Sequence, residues 1–442
     1  MPSVADLNLR FAESVVQRLR ESGYQALFAG GCVRDLQLGR SPKDYDVATD
    51  ARPEQVRELF GQRRTLAVGA SFGVIVVVPS RSERAKGIEP VVVATFRTEG
   101  PYLDGRRPEQ VVFATPEEDA QRRDFTINGM FYDPVDGRLL DYVGGERDLK
   151  AGIVRAIGDP QARMTEDKLR LLRAIRFAAT FDFRLDEATA AAVRTMADQL
   201  VVVSAERISQ ELRRMLVHEN RRRAVDLCAE CGLLQVIFPE LADMVRFADA
   251  SPTSPWDRTR AMLDLLEDPS FELALACLLH ALADAPAECE PVTVGLERIR
   301  PICHRLRLSN GETVRVIFLV SGQQAFAGIR GDRPSRLKRL CSSKGIRELI
   351  ELIRVRTVVE GGDLAEVRFV ATFLDETPVA VLNPPPLLTG ADLIALGLKP
   401  GPQFKRLLET VRDAQLDGAI SSADEARELA ERLHASNGDD TN

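Results

Sequence analysis

Residues 29–50 read AGGCVRDLQLGRSPKDYDVATD, and the fold of the first part of the chain turns on them. The apolar run before them predicts a short strand entering Gly30-Gly31, with a helix after it. Glycines at such a turn let a phosphate approach the backbone, and the amides opening a helix face an anion. Arg34, one turn into that helix, is placed to add a charge-assisted contact to the same phosphates. Ten residues further come Asp44 and Asp46. On an extended strand, residues two apart share a face, so both carboxylates are expected to point one way. Adjacent carboxylates repel unless a cation lies between them, and hard oxygen ligands suit magnesium, which also binds substrate phosphates. A Gly-Gly turn alone is equally a plain turn, and a lone DxD is more often an exposed strand end. Together they point to a site for phosphate and metal.

Working outward, LNLRFAESVVQRLRESG (7–23) has helical periodicity, and the runs DYDVAT, GVIVVV and VVVATFR read as strands. From about Glu166 long helical patterns dominate. They include EDKLRLLRAIRFAATF, ATAAAVRTMADQL and AERISQELRRMLVHENRRRAVDLCAECGLL. The chain therefore reads as an α+β head over residues 1–150 followed by an all-helical remainder. The loop ADASPTSPW and the Pro-rich connector 377–390 divide that remainder into segments 151–245, 246–376 and 377–442.

The ordered motifs resemble the signature of the class II tRNA nucleotidyltransferase and bacterial poly(A) polymerase family. After GGCVRDLQLGRSPKDYDVAT come VGASFGVIVVV, VVVATFRTEGPYLDGRRPEQVVF, RRDFTIN, DYVGGERDL and EDKLRLLRAIRF, and PPPLLTGADLIALGLKPGPQFKRLLE near the end also looks familial. The resemblance implies a polymerase-β-like head with a mixed sheet, then helical neck, body and RNA-binding tail. It also implies transfer of nucleotides from ATP and CTP to a tRNA 3′ end. Gly31, Arg34 and, in RRDFTIN, Arg123 would meet the nucleotide, and Asp44 and Asp46 would hold Mg2+. Complete CCA addition, terminal A addition alone and poly(A) synthesis share this head. TEGPYLDGRRPEQV resembles the loop used for A addition, which disfavours CC addition alone. A non-catalytic tRNA-binding protein is the reading that loss of either aspartate would have favoured.

In EDKLRLLRAIRF, Thr165 is expected to cap a helix whose first turn holds Glu166 and Asp167. Asp167, Arg170, Arg173 and Arg176 recur every third residue as one polar stripe. A solvated amphipathic helix shows the same stripe. Adenine and cytosine each present an exocyclic amine beside a ring-nitrogen acceptor, which a carboxylate and a guanidinium would match. Guanine and uracil place a carbonyl and a ring N–H there. The resemblance assigns this templating to Asp167 and Arg170, with Arg173 and Arg176 left for base or phosphate contacts. One departure is Val92, where the family commonly has an acidic residue; Glu89 is its neighbour in sequence.

Composition limits the alternatives. The 442 residues are 45% hydrophobic and 28% charged, which excludes a disordered chain, and the net charge of -7 gives no support to a globally basic binder. Positive charge is local, with eight Lys/Arg against two Glu over 333–356 and six Arg against three Glu over 206–223. Both are candidate phosphate tracks or solvated helix faces. No apolar run reaches membrane-span length, and charges interrupt residues 1–20 where a signal peptide needs an apolar core. Seven cysteines at irregular spacing give no disulfide framework. Cys228 and Cys231 lack a second ligand pair and read as helix packing, as does His280. A cytoplasmic, reduced protein is expected.

Overall fold

The computed structural model describes residues 3–69, 72–99, 111–246, 254–283, 295–398 and 401–438. Most of the loop read as serving A addition lies outside them. Two compact units divide the chain, Met1–Ala242 and Asp243–Asn442.

In the first unit, α1 (Val4–Glu21) opens on a reciprocal cap. Ser3 Oγ accepts the Asp6 N–H at 3.2 Å, and the Asp6 carboxylate accepts the Ser3 N–H at 3.0 Å. Phe11, Ala12, Val15, Val16 and Leu19 form its buried face, and Gly23 just beyond its end takes a φ of 88°. There follow β1 (Ala26–Ala29), α2 (Gly31–Gln37), β2 (Asp46–Thr49) and α3 (Pro53–Phe60). Next come β3 (Thr65–Gly69), β4 (Val74–Val77), a short helix α4 (Arg81–Arg84) and β5 (Val91–Thr95). A hairpin of β6 (Arg97–Glu99) and β7 (Val111–Phe113) leads to α5 (Pro116–Gln121), β8 (Met130–Asp133), β9 (Arg138–Asp141) and α6 (Gly145–Ala151).

Seven strands make one mixed sheet in the order β3-β4-β5-β2-β1-β8-β9. Only the β2–β5 pair is parallel within it. All four residues of β1 are buried, as expected for a central strand covered on both faces. Leu27, Ala29, Ala48, Phe96, Ala120 and Phe131 form a core cluster. This centre holds the glycine turn and the aspartate strand side by side, because β1 and β2 are antiparallel neighbours.

The neck differs from its sequence reading. Instead of one helix beginning at Thr165, α7 (Pro160–Glu166) ends there and α8 (Leu169–Phe181) starts afresh. Thr165 caps nothing; its hydroxyl donates to the Gln161 carbonyl at 2.8 Å. Asp167 is extended at φ -143°, ψ 107°, between the two helices, and its Oδ1 accepts the Leu169 N–H at 3.0 Å. An Asp side chain that bonds its own backbone two residues on competes with helix continuation. After α9 (Glu187–Thr195) the long run over 205–234 is likewise divided, into α10 (Ala205–Leu216), α11 (Arg221–Glu230) and the start of a short helix, Leu233–Ile237.

The second unit is helical throughout its described residues. Phe271–Leu279 is buried almost completely, with His280 at its end fully enclosed and its Nε2 3.1 Å from Thr259 Oγ1. Pro402–Asp417 and Ala423–Gly438 close on a separate cluster of Leu393, Leu407, Val411 and Ala426. The basic segment 333–356 is largely paired: Arg336 with Asp332, Arg339 with Asp413, Arg347 with Asp375 and Arg354 with Glu351. Asp332, Asp413 and Asp375 thereby halve its surplus charge, from +6 to +3. Among the described residues no helix is long and apolar enough to cross a membrane.

Candidate active site

Gly30 stands at φ 72°, ψ -125°, the turn that swings β1 into α2. An added Cβ would lie 2.8 Å from Arg123 Nη1, so a side chain there must displace that guanidinium. The sequence thus needs glycine both for the left-handed φ and for the approach of a guanidinium.

Arg34 is buried, and every nitrogen of its guanidinium is oriented. Nη1 donates to Asn128 Oδ1 at 2.6 Å, while Nε and Nη2 donate to Asp35 Oδ1 at 2.9 and 2.8 Å. Its plane also sits 4.4 Å from the Phe181 ring centroid. Asn128 in turn donates from Nδ2 to Asp124 Oδ1 at 3.0 Å. Asp124 Oδ2 accepts from Arg173 Nε and Nη2 at 2.9 and 2.6 Å. This relay, Arg34–Asn128–Asp124–Arg173, ties α2 to α8. Burial opposes a charge on Asp124, but Arg173 and Asn128 outweigh it and hold the carboxyl down at about 2.

A second fork lies beside it. Asp119, 1% exposed, takes Arg122 on Oδ1 at 2.9 and 2.7 Å and Arg123 on Oδ2 at 3.1 and 2.9 Å. Burial again works against ionisation, and the two guanidiniums carry Asp119 below the ordinary carboxylate range.

These groups surround one cavity of about 420 Å³, the size of a small-ligand pocket. Its wall contains Gly30, Gly31, Arg34 and Asp46 from the sheet side, Arg122, Arg123, Asp124 and Asn128 from the segment before β8, and Asp167, Arg170, Arg173 and Phe177 from the neck. Five arginines against three aspartates leave the wall with a positive excess suited to a polyanion.

Asp46 begins β2, whereas Asp44 precedes the strand in a bend, so the two do not share a strand face as expected. They remain close enough to interact. Although the Asp46 side chain is accessible from the cavity, the protein around it limits hydration and raises its carboxyl; Arg123 opposes that and Asp44 adds to it. No side-chain hydrogen bond or ion pair holds either carboxylate among the described residues. Two unneutralised carboxylates beside a phosphate-sized space are a donor set that fits a magnesium ion. In β5 the residue in register with Asp46 is Val92, so the strand beside it contributes no acid. Glu89 is tied by its backbone N–H to Asn8 of α1 at 3.0 Å. No group of three or more potential metal-binding side chains occurs among the described residues.

Comparison with known proteins follows the same geography. The family model described as the poly A polymerase head domain matches residues 26–155, and that described as the probable RNA and SrmB-binding site of polymerase A matches 182–245. The CCA-adding enzyme of Lactobacillus helveticus is 30% identical over 94% of this chain and 95% of its own length. The chain belongs to the tRNA nucleotidyltransferase and poly(A) polymerase family. Poly(A) polymerase I of Haemophilus influenzae is 38% identical, but the match spans 53% of this chain and about half, 52%, of that protein. The crystal structure of the Bacillus stearothermophilus CCA-adding enzyme in complex with CTP aligns over 98% of this chain and 99% of its own, with a TM-score of 0.73 and 28% identity.

Of the residues the family resemblance singles out, the cavity gathers Gly31, Arg34, Asp46, Arg123, Asp167, Arg170 and Arg173. Asp44 and Arg176 are not among the residues that line it. Arg176 is ion-paired with Glu211 and lies 4.0 Å over the Phe177 ring, a packing position. The arginine stripe of α8 is therefore not a solvated face: each arginine is ion-paired, and Arg170 and Arg173 also line the cavity. The family motif RRDFTIN also supplies Asp124 and Asn128, which sequence reasoning passed over. Their signal was present: two polar residues four apart, on either side of Phe125 and Ile127. Asp119, Arg207 and Glu211 had no such local signal. Arg207 meets Asp167, Arg214 meets Glu211, and Arg223 meets Asp182, so the candidate track over 206–223 is mostly committed to internal pairs.

Proposed function

We propose that the chain is a template-independent tRNA nucleotidyltransferase. It adds CCA, or the terminal A, to the tRNA 3′ end from CTP and ATP and releases pyrophosphate. The observation that carries this reading is the single cavity with Gly30, Gly31, Arg34 and Asp46 on one side and Asp167 and Arg170 on the other. A phosphate-binding turn and a base-matching pair thus face one nucleotide-sized space. The relatives named CCA-adding enzyme support the same substrates, and Asp46 with Asp44 supports Mg2+ as the metal.

Asp44 and Asp46 would hold magnesium, which when bound neutralises charge on the α-phosphate and makes the attacking hydroxyl more acidic. Arg34 and Arg123 bind the triphosphate, with orientations fixed in advance by Asn128, Asp35 and Asp119. The 3′-hydroxyl oxygen forms its bond to the α-phosphorus as the bond to the bridging oxygen breaks. The side chains position and stabilise, and none bonds covalently to substrate. For base choice, Asp167 accepts from the exocyclic amine and Arg170 donates to the ring nitrogen. Arg170 uses only part of its five donors on Glu166, the Arg163 carbonyl at 2.8 Å and the Arg122 carbonyl at 3.2 Å. Guanine or uracil would leave polar groups unpaired at about 1–3 kcal/mol each. The six described cysteines are buried and form no disulfide, which suits the reducing cytoplasm in which tRNA matures.

The poly(A) polymerase relative favours a second reading, long A tails on unrelated RNA. One experiment separates them. Purified protein receives tRNA transcripts ending before CCA, after C and after CC, and an unrelated RNA, each with labelled ATP or CTP. Addition of all three nucleotides gives a CCA enzyme, and ATP incorporation only at the CC end gives an A-adding one. Absence of incorporation on every tRNA would end the proposal.

A further inference from the structure

Asp167 is not free to orient itself. Arg207, in the first turn of α10, grips it end-on: Nη1 donates to Oδ1 at 3.1 Å and Nη2 to Oδ2 at 2.7 Å. With the Leu169 N–H also on Oδ1, three of the roughly four acceptor positions of the carboxylate are filled. The position left open is on Oδ2. Glu211, one helical turn beyond Arg207, holds Arg176 and approaches Arg173 at 3.9 Å. One face of α10 therefore braces both the acidic and the basic members of the cavity wall.

A stabilising role does not by itself explain the geometry. With side-chain exposures of 22% and 18% the pair is largely enclosed and contributes to folding, but stability alone does not require a two-pronged grip. A bidentate guanidinium does fix the plane of a carboxylate. Asp167 most needs that service, since it sits on extended backbone at a helix break and has no helix of its own to hold it.

We infer that Arg207 is a positioning residue for nucleotide choice. It fixes the Asp167 carboxylate so that one lone pair on Oδ2 faces the base, and a base edge is accepted only if it brings a donor there. The inference rests on the templating role proposed above for Asp167.

The test measures kcat and KM for ATP, CTP, GTP and UTP on the tRNA end the wild-type enzyme extends. Variants are Arg207→Gln, Arg207→Lys, Asp167→Ala and the double variant R207Q/D167A. A carboxylate displaced by about 1 Å loses up to ~100-fold in productive turnover. R207Q is therefore expected to cut the preference for A or C over G and U by roughly 10- to 100-fold, mainly through kcat. R207K keeps the charge without the fork and should fall between R207Q and wild type. The double variant should discriminate no worse than D167A. If D167A itself kept wild-type discrimination, the templating reading would fail. If D167A lost it while R207Q, or R207K should R207Q not fold, kept it, the role of Arg207 would be refuted. An equal loss on all four nucleotides would refute it too.

Discussion

Asp124→Asn isolates one link of the relay that joins α2 to α8. The substitution keeps shape but removes charge. Asp124 Oδ1 accepts from the Phe125 N–H at 2.8 Å and from Asn128, and Oδ2 accepts twice from Arg173. An asparagine satisfies at most one side: if its oxygen serves Phe125 and Asn128, its NH2 meets the guanidinium, donor against donor. Arg173 then retains only the more distant Glu211. The fall of the Asp124 carboxyl from an ordinary 3.8 to about 2 corresponds to about 2 kcal/mol of stability at neutral pH.

The sign is fixed by the direction of the shift. A depressed carboxylate stabilises the fold above its unfolded pKa and loses that contribution as pH falls toward the folded value. The window runs from about pH 4 down to about pH 2, and roughly half of the effect is gone by pH 3. Denaturant unfolding at pH 7 and pH 3 measures it. All five tyrosines lie in the first unit and the single tryptophan, Trp256, in the second, so tyrosine and tryptophan signals follow the two separately. D124N should destabilise the tyrosine-reported transition by about 2 kcal/mol at pH 7 and by about 1 kcal/mol at pH 3, leaving the tryptophan transition in place. An equal loss at both pH values would mean that geometry rather than charge accounts for the link, and the reasoning would be wrong.

Other variants probe the remaining parts of the cavity. Asp44→Ala is expected to abolish nucleotidyl transfer while tRNA binding, measured by gel shift, stays largely intact; retained transfer would remove Asp44 from the metal site. Asp167→Ala should raise GTP and UTP incorporation relative to ATP and CTP, and unchanged ratios would dismiss it as template. Gly30→Ala forces a side chain into the left-handed region and toward Arg123. A destabilisation of about 1–2 kcal/mol is expected, together with a raised KM for nucleotide, both read on one preparation. Wild-type stability with unaltered KM would show that Gly30 is a plain turn.

The elements visible in the sequence are those whose reason is local. β1, α2 and β2 declare themselves through an apolar run, two glycines and an aspartate pair. β8 and β9, MFYD and RLLD, do not, because four-residue strands with polar ends acquire their identity from pairing. Met130–Asp133 is a strand because β1 lies on one side and β9 on the other. The break at Asp167 falls between the two cases. Helical periodicity runs through it, yet an Asp two residues before Leu169 carries its own instruction, a side chain able to bond the backbone N–H that a new helix leaves unpaired.

The same distinction explains the site. Residue types, spacing and the family resemblance singled out groups expected to meet a nucleotide, and seven of them line one cavity. What orients those groups is tertiary. Asp119 holds Arg122 and Arg123, Asp124 holds Arg173 from 49 residues away, and Arg207 reaches Asp167 across 40. Charges withdrawn from water are costly unless paired, so a cavity that presents arginines to a polyanion must set acids behind them. That requirement reconciles an acidic chain with an anionic substrate. Counting charge along the sequence adds these backing acids to the total as though they faced solvent. In the folded unit they serve instead to keep the guanidiniums fixed before the nucleotide arrives, so that little reorganisation remains for the reaction itself.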